Sequence, residues 1–156
     1  MVKQFPVLVY GTLRPSGTNY NRFLGGATES EVDVHLDGFL MYGSSGCPFL
    51  VRGDRTVTAT LVHIYPEQYN EIMVGLDRLE GFRSDGHPDN SYDRVLHTFT
   101  HDGETVQAWV YLCSKWLLPY IAETTPVLES GDWIQHVAAA KKADDDEWEE
   151  YLRTGV

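Results

Sequence analysis

Two short segments of the sequence hold residue types that could do chemistry together. The first, Tyr10-Gly11-Thr12-Leu13-Arg14, follows directly on the dense apolar run Phe5 to Tyr10. A glycine there lets the backbone come close to a ligand, and successive amides in a tight turn can point outward at an anion. The same turn could also be an ordinary strand end. The second is Glu80 within Leu76-Asp77-Arg78-Leu79-Glu80-Gly81-Phe82. A carboxylate at a helix C-terminus opposes the macrodipole, and desolvation by Leu79 and Phe82 would raise its pKa toward the range useful for proton transfer. A lone Glu before a helix-ending Gly is otherwise a surface residue.

Other groupings fail on spacing. Gly43-Ser44-Ser45-Gly46-Cys47 has the look of a nucleophile elbow, yet it lacks the glycine at the fifth position and does not run from strand to helix. His35, His63, His87, His97, His101 and His136 form neither HExxH nor a short HxH pair, so no metal is expected. Asp85, His87, Asp89 and Asp93 read as a solvated acidic loop in preference to a calcium site. Gly25-Gly26 lacks the fingerprint of a dinucleotide loop. Cys47 and Cys113 each sit in apolar runs and are expected to be reduced core thiols.

These candidate groups need elements to hold them. The run Phe5 to Tyr10, halted by Gly11, reads as a buried strand delivered to a turn. A loop from Arg14 to Asn21 follows, then a short helix around Asn21 to Leu24. Val32, Val34 and Leu36 alternate with polar neighbours, as do Val57, Ala59 and Leu61, which predicts half-solvated antiparallel strands. Pro48 to Val51 is a further short strand, confined by its proline to an edge or a beginning. Pro66 suits a first helical position. The stripe Tyr69, Ile72, Met73, Leu76 and Leu79 then carries a helix to Gly81.

Beyond the polar loop Arg83 to Ser91, the runs Tyr92 to Thr100 and Thr105 to Cys113 flank His101-Asp102-Gly103-Glu104 and predict a hairpin. On the first of these, Tyr92 and Arg94 share a face, where they could brace the Glu80 loop or form a cross-strand surface pair. Lys115 to Ala122 reads as a helical turn. Ser130-Gly131-Asp132 caps a longer amphipathic helix with Trp133, Val137, Ala140, Trp148 and Leu152. The run Asp144 to Glu150 either rides on that helix or breaks it. Trp133 would anchor the helix on the sheet or roof the pocket. Strands first, one inserted helix, a returning hairpin and a helical tail make an α+β fold, its antiparallel strands curling into a barrel.

A chain of 156 residues with 42% hydrophobic content is one domain's worth of core, residues 1–156, with 114–156 expected as a helical extension packed on it. Twelve basic residues against twenty-three acidic ones give a formal charge of -11, which repels nucleic acid and anionic membrane surfaces. Neither is an expected partner. The amino-terminal residues lack the layout of a signal peptide and no run is long enough to span a bilayer, so a cytoplasmic monomer or weak homodimer is expected.

The ordered set Val9-Tyr10-Gly11-Thr12-Leu13-Arg14, Leu76-Asp77-Arg78-Leu79-Glu80-Gly81-Phe82, Tyr92-x-Arg94 and Ala108-Trp109-Val110-Tyr111 resembles the γ-glutamylcyclotransferase-like, or AIG2-like, family over Val7 to Tyr111. Ser130-Gly131-Asp132-Trp133 is similar to a segment near the end of bacterial members. The resemblance implies a small mixed, mainly antiparallel β-barrel with flanking helices. It implies a binding loop made of Tyr10, Gly11, Thr12 and Leu13, Glu80 as general acid/base, and Tyr111 lining the pocket. The implied reaction is release of 5-oxoproline and a free amine from a small γ-glutamyl compound, without cofactor or metal. The rival reading is a non-catalytic binding or regulatory protein on the same fold, since fold and partial motif do not guarantee turnover. A third, trimming of γ-glutamyl groups from a larger molecule, shares the site and differs only in what leaves.

Overall fold

The computed structural model describes residues 3–43 and 46–154; Ser44 and Ser45 of the elbow-like segment lie outside them. In chain order the elements are β1 (Val7–Val9), α1 (Tyr20–Phe23), β2 (Thr28–Gly43), β3 (Pro48–Ile64), α2 (Tyr69–Leu79), β4 (Tyr92–His101), β5 (Glu104–Cys113), α3 (Leu118–Thr124) and α4 (Trp133–Thr154). The strands form one mixed sheet in the order β2-β3-β1-β5-β4, in which only β1 and β5 run parallel. This is the α+β, mainly antiparallel sheet with flanking helices that the sequence predicts. Its edge strands β2 and β4 do not pair with each other among the described residues, so the barrel is an open one.

Strand β1 is only three residues long, yet all three are buried because it lies at the centre of the sheet with both faces covered. Leu8 joins Val34, Leu36, Phe39, Leu61 and Val110 on one face. Val7 and Val9 join Leu24, Val62, Met73, Leu76 and Tyr111 on the other, under α2. A continuous apolar run is the sequence signature of such a strand, and Gly11 follows it out of the sheet.

Strands β2 and β3 make one long hairpin in which the separately expected strands, including Pro48 to Val51, are continuous. Pro48 opens β3, where its missing N–H breaks no ladder. The register shifts between Asp37 and Phe39, and Gly38 between them has φ +86°, a bulge that bends the hairpin and turns Phe39 fully into the core.

Helix α2 starts later than expected. Pro66 is not its first residue; Gln68 N–H donates to Tyr65 and Tyr69 N–H to Pro66, a turn that precedes the helix proper at Tyr69. The stripe itself is as expected, with Tyr69, Met73 and Leu76 buried and Ile72 and Leu79 packed at its margins. The helix ends in a Schellman motif: Gly81 has φ +65°, its N–H donates to Arg78, and Phe82 N–H donates to Asp77. Glu80 is thereby the C-cap, and buried Phe82 seals the turn beside it.

The β4–β5 hairpin closes on Asp102-Gly103, both with positive φ (50° and 78°), as a two-residue turn matched to strand twist requires. Leu128 and Trp133 enter the core shared by β2 and β3. Asp132 Oδ1 accepts the Gln135 amide at 3.1 Å, capping α4, and the acidic run continues that helix without a break. Past its first turn α4 lies in solvent, with Val137, Trp148, Tyr151 and Leu152 all exposed. Among the described residues no helix is long and apolar enough to cross a membrane.

Candidate active site

A small cleft opens where the chain leaves the end of β1. Tyr10, Gly11, Thr12 and Leu13 form one wall. Glu80 from the end of α2, Tyr92 from β4 and Tyr111 from β5 line the cleft with them, together with buried Pro48 and exposed Cys47. The expected site residues Tyr10 to Leu13, Glu80, Tyr92 and Tyr111 are therefore brought together; Arg94 lies behind the cleft, and Trp133 is a buried anchor outside it.

The loop after β1 is folded by turning its carbonyls inward. Gly11 C=O accepts from Arg14 N–H at 3.1 Å and Thr12 C=O from Asn19 N–H at 2.9 Å, while Asn19 Nδ2 also donates to Thr12 Oγ1 at 2.9 Å. The amides of Gly11, Thr12 and Leu13 are left with no acceptor among the described residues. Three consecutive free N–H groups at the edge of a cleft are a seat for an anion. The glycine at position 11 answers to packing, since a Cβ there would stand 2.7 Å from the Cγ and Cδ of Pro48.

Arg14 fixes the far end of the loop and was not singled out by sequence reasoning. Its side chain is 7% exposed; NH1 meets Asp132 Oδ1 at 2.8 Å, Nε donates to Thr60 Oγ1 at 3.1 Å, and Asp33 lies 3.6 Å from NH2. The residue that caps α4 thus also holds the loop after β1. Nothing local in the sequence signals a contact between residues so far apart in the chain.

In the same cleft, burial raises the Glu80 carboxyl to about 7, with no hydrogen bond or neighbouring charge contributing. Desolvation thus supplies the shift that the sequence assigned jointly to burial and helix dipole. Three phenols surround this group. Tyr10 Oη donates to the carbonyl of Tyr111, Tyr92 Oη to the carbonyl of Pro48 at 3.0 Å, and Tyr111 Oη to Asp77 Oδ1 at 2.7 Å. Burial pushes all three pKa values above the ordinary phenol range, so all three are neutral hydroxyls at neutral pH.

Asp77 is the second residue that sequence reasoning did not single out, although it lies one turn before Glu80. Arg94 NH1 pairs with it at 3.0 Å and the guanidinium lies over the rings of Phe82 (5.1 Å) and Trp109 (4.7 Å). Tyr92 stacks on Phe49 at 5.3 Å. Tyr92 and Arg94 are therefore not a surface pair. Cys113 is buried as expected, but Cys47, in the lining of the cleft, is exposed, its Sγ 3.8 Å from Tyr92 Oη; the apolar neighbours that suggested a core position belong to the start of β3. Among the described residues no group of three or more His, Cys, Asp and Glu is placed to hold a metal ion.

A family model described as γ-glutamyl cyclotransferase, AIG2-like, matches residues 7–135. A relative from Niallia circulans, the γ-L-glutamyl-butirosin B γ-glutamyl cyclotransferase, is 27% identical over 109 residues, 70% of this chain and 67% of its own. Among solved structures, YkqA of Bacillus subtilis has a TM-score of 0.60 at 20% identity, over 90% of this chain and 43% of its own. An uncharacterised protein of Pyrococcus horikoshii has a TM-score of 0.57 at 17% identity, over 88% of this chain and 97% of its own. The structural likenesses speak to fold alone. The family match spans β1 to the start of α4 and takes in every residue that lines the cleft, and the chain belongs to the γ-glutamyl cyclotransferase, AIG2-like family.

Proposed function

We propose that the protein is a cofactor-independent γ-glutamyl cyclotransferase that converts a small γ-glutamyl compound into 5-oxoproline and a free amine. One observation carries this reading: a carboxyl with a pKa of about 7 and three unpaired backbone amides line a single small cleft. The α-carboxylate of the substrate sits on the amides of Gly11, Thr12 and Leu13. The α-amine, whose free pKa is about 8, attacks in its neutral form, its ammonium proton having gone to solvent. Glu80 takes the proton that the neutral amine sheds as its nitrogen bonds to the γ-carbonyl carbon, and returns it to the departing nitrogen as the original amide C–N bond breaks. Tyr10 and Tyr111 shape the pocket, and Tyr92 and Arg94 support the Glu80 wall.

A panel of γ-glutamyl amino acids, γ-glutamyl amines and glutathione, followed for 5-oxoproline, tests the reading. At least one member should be consumed. Glu80→Gln should lower that turnover by at least ~10²-fold, the lower end for general acid/base catalysis, while 5-oxoproline still binds. Binding of a γ-glutamyl compound without any release by the wild type would leave a ligand-binding protein in place of an enzyme.

A further inference from the structure

Each phenol in the cleft has one proton to give, and each gives it to another protein group. Tyr10 and Tyr92 donate to backbone carbonyls, Tyr111 to the carboxylate of Asp77. Carbonyl and carboxylate oxygens only accept, so the direction of all three bonds is fixed. With their protons so placed the phenols present lone pairs toward a ligand, the Tyr92 oxygen being also within reach of the Cys47 thiol at 3.8 Å. The cleft is therefore polarised, with a donor wall at Gly11 to Leu13 and an acceptor wall of Glu80 and the phenolic oxygens.

Among the three, Tyr92 is the one whose oxygen contacts an exposed residue of the cleft. It lies 3.8 Å from the sulfur of exposed Cys47 and is held by the carbonyl of Pro48, while the Tyr10 oxygen is turned to the Tyr111 backbone and the Tyr111 oxygen to Asp77. Resting on the cyclotransferase reading, we propose that Tyr92 is the specificity residue for the nucleophile, its phenolic oxygen accepting one N–H of a primary α-amine.

A neutral primary amine has two N–H bonds and one lone pair. With one N–H on Glu80 and the other on Tyr92, the lone pair is left for the γ-carbonyl carbon. The N–H on Glu80 is the proton removed during attack, and the N–H on Tyr92 stays behind as the lactam N–H of the product. Tyr92 thus selects for a nitrogen that keeps a hydrogen after ring closure, and a ring oxygen in its place would set two acceptors against each other.

Binding of 5-oxoproline and of its lactone analogue, which has the same ring and carboxylate with oxygen replacing N–H, isolates this contact without requiring turnover. The wild type should bind the lactam at least about tenfold tighter, the worth of one good hydrogen bond plus removal of an acceptor clash. Tyr92→Phe should lose most of that preference, whereas Tyr10→Phe should keep it. The preference is a ratio within one protein, so a lower folded fraction in either variant does not move it. A preference unchanged in Tyr92→Phe, one lost in Tyr10→Phe, or no binding of either ring by the wild type overturns the assignment. Absence of 5-oxoproline release from the γ-glutamyl panel would sink the cyclotransferase reading instead, whereas release together with an undiminished lactam preference in Tyr92→Phe sinks only the role of Tyr92.

Discussion

Asp77 and Glu80 stand three residues apart on the closing turn of α2, and among the described residues only Asp77 is paired. Its carboxylate takes Arg94 and the Tyr111 hydroxyl, while Glu80 stays in the cleft with burial as the sole cause of its raised pKa. Two carboxyl groups in one turn thus have opposite environments, one neutralised by a cation and one desolvated. This is the arrangement by which a fold separates a structural acid from one that can exchange protons near pH 7.

The raised pKa sets the sign of a pH effect on stability. The folded state holds the Glu80 proton up to about pH 7, whereas the unfolded chain releases it near the ordinary value of 4.5. Between those values the folded state binds more protons, so stability falls as pH rises. The full shift corresponds to at most about 3 kcal/mol. Urea unfolding of the wild type and Glu80→Gln from pH 5 to pH 8 should show the variant gaining relative stability with pH. A difference that stays flat would place the carboxyl in water. With substrate, kcat/KM should rise through about pH 7, the acidic limb of the profile, as the same group deprotonates.

Neutralising one member of the Asp77–Arg94 pair exposes Glu80 to the charge of the other. Asp77→Asn leaves the Arg94 cation and should move the midpoint of the pH–rate profile down; Arg94→Met leaves the Asp77 anion and should move it up. Both variants should lose about 1–3 kcal/mol of stability, because a half-buried pair is being broken. Shifts in the same direction would mean that the changes act through displacement of α2 and not through charge.

Asp132 holds α4 and, through Arg14, the loop after β1 with one carboxylate oxygen. Asp132→Asn keeps a capping side chain but loses the ion pair with buried Arg14; Asp132→Ala loses both. The Ala variant should be less stable than the Asn variant by about 1 kcal/mol, the usual worth of a cap. Both should weaken 5-oxoproline binding, since Arg14 N–H closes the turn on Gly11 C=O. Calorimetric affinities equal to the wild type would confine Asp132 to holding α4.

What the sequence made legible follows the range of the interactions involved. The burial of β1, the apolar stripe of α2, the Gly81 stop and the Asp102-Gly103 turn depend on neighbours a few residues away, and their residue types announce them. Tyr10 to Leu13 and Glu80 stood out for the same reason. The continuity of β2 and β3 was hidden because Gly38 and the polar run Arg52 to Arg55 look like loop, and long-range pairing overrides that preference. Pro66 looked like a helix start because proline also suits the turn that comes before one. The contact of Arg14 with Asp132 and the exposure of Cys47 are products of how distant elements meet, and no local pattern encodes them.

The need for glycine at position 11 rests on Pro48 and gives the most direct test of how the loop is built. Chain direction alone suggests that Gly11→Val weakens binding more than folding, because the backbone must approach a ligand. A Cβ at this position would instead lie 2.7 Å from two carbons of the Pro48 ring, so even Gly11→Ala must push that ring away. Overpacking of this kind costs about 1–3 kcal/mol. Pro48 also supplies the carbonyl that holds the Tyr92 hydroxyl, so the strain reaches Tyr92 in the cleft. Gly11→Ala should therefore lower both melting temperature and 5-oxoproline affinity. Removing the ring with Pro48→Ala in the Gly11→Ala background should restore part of each, a favourable coupling of at least about 1 kcal/mol in a double-mutant cycle. Additive losses would mean that the two residues do not oppose each other. A Gly11→Ala variant of wild-type stability that binds nothing would return the glycine to its first interpretation, as room for the ligand itself.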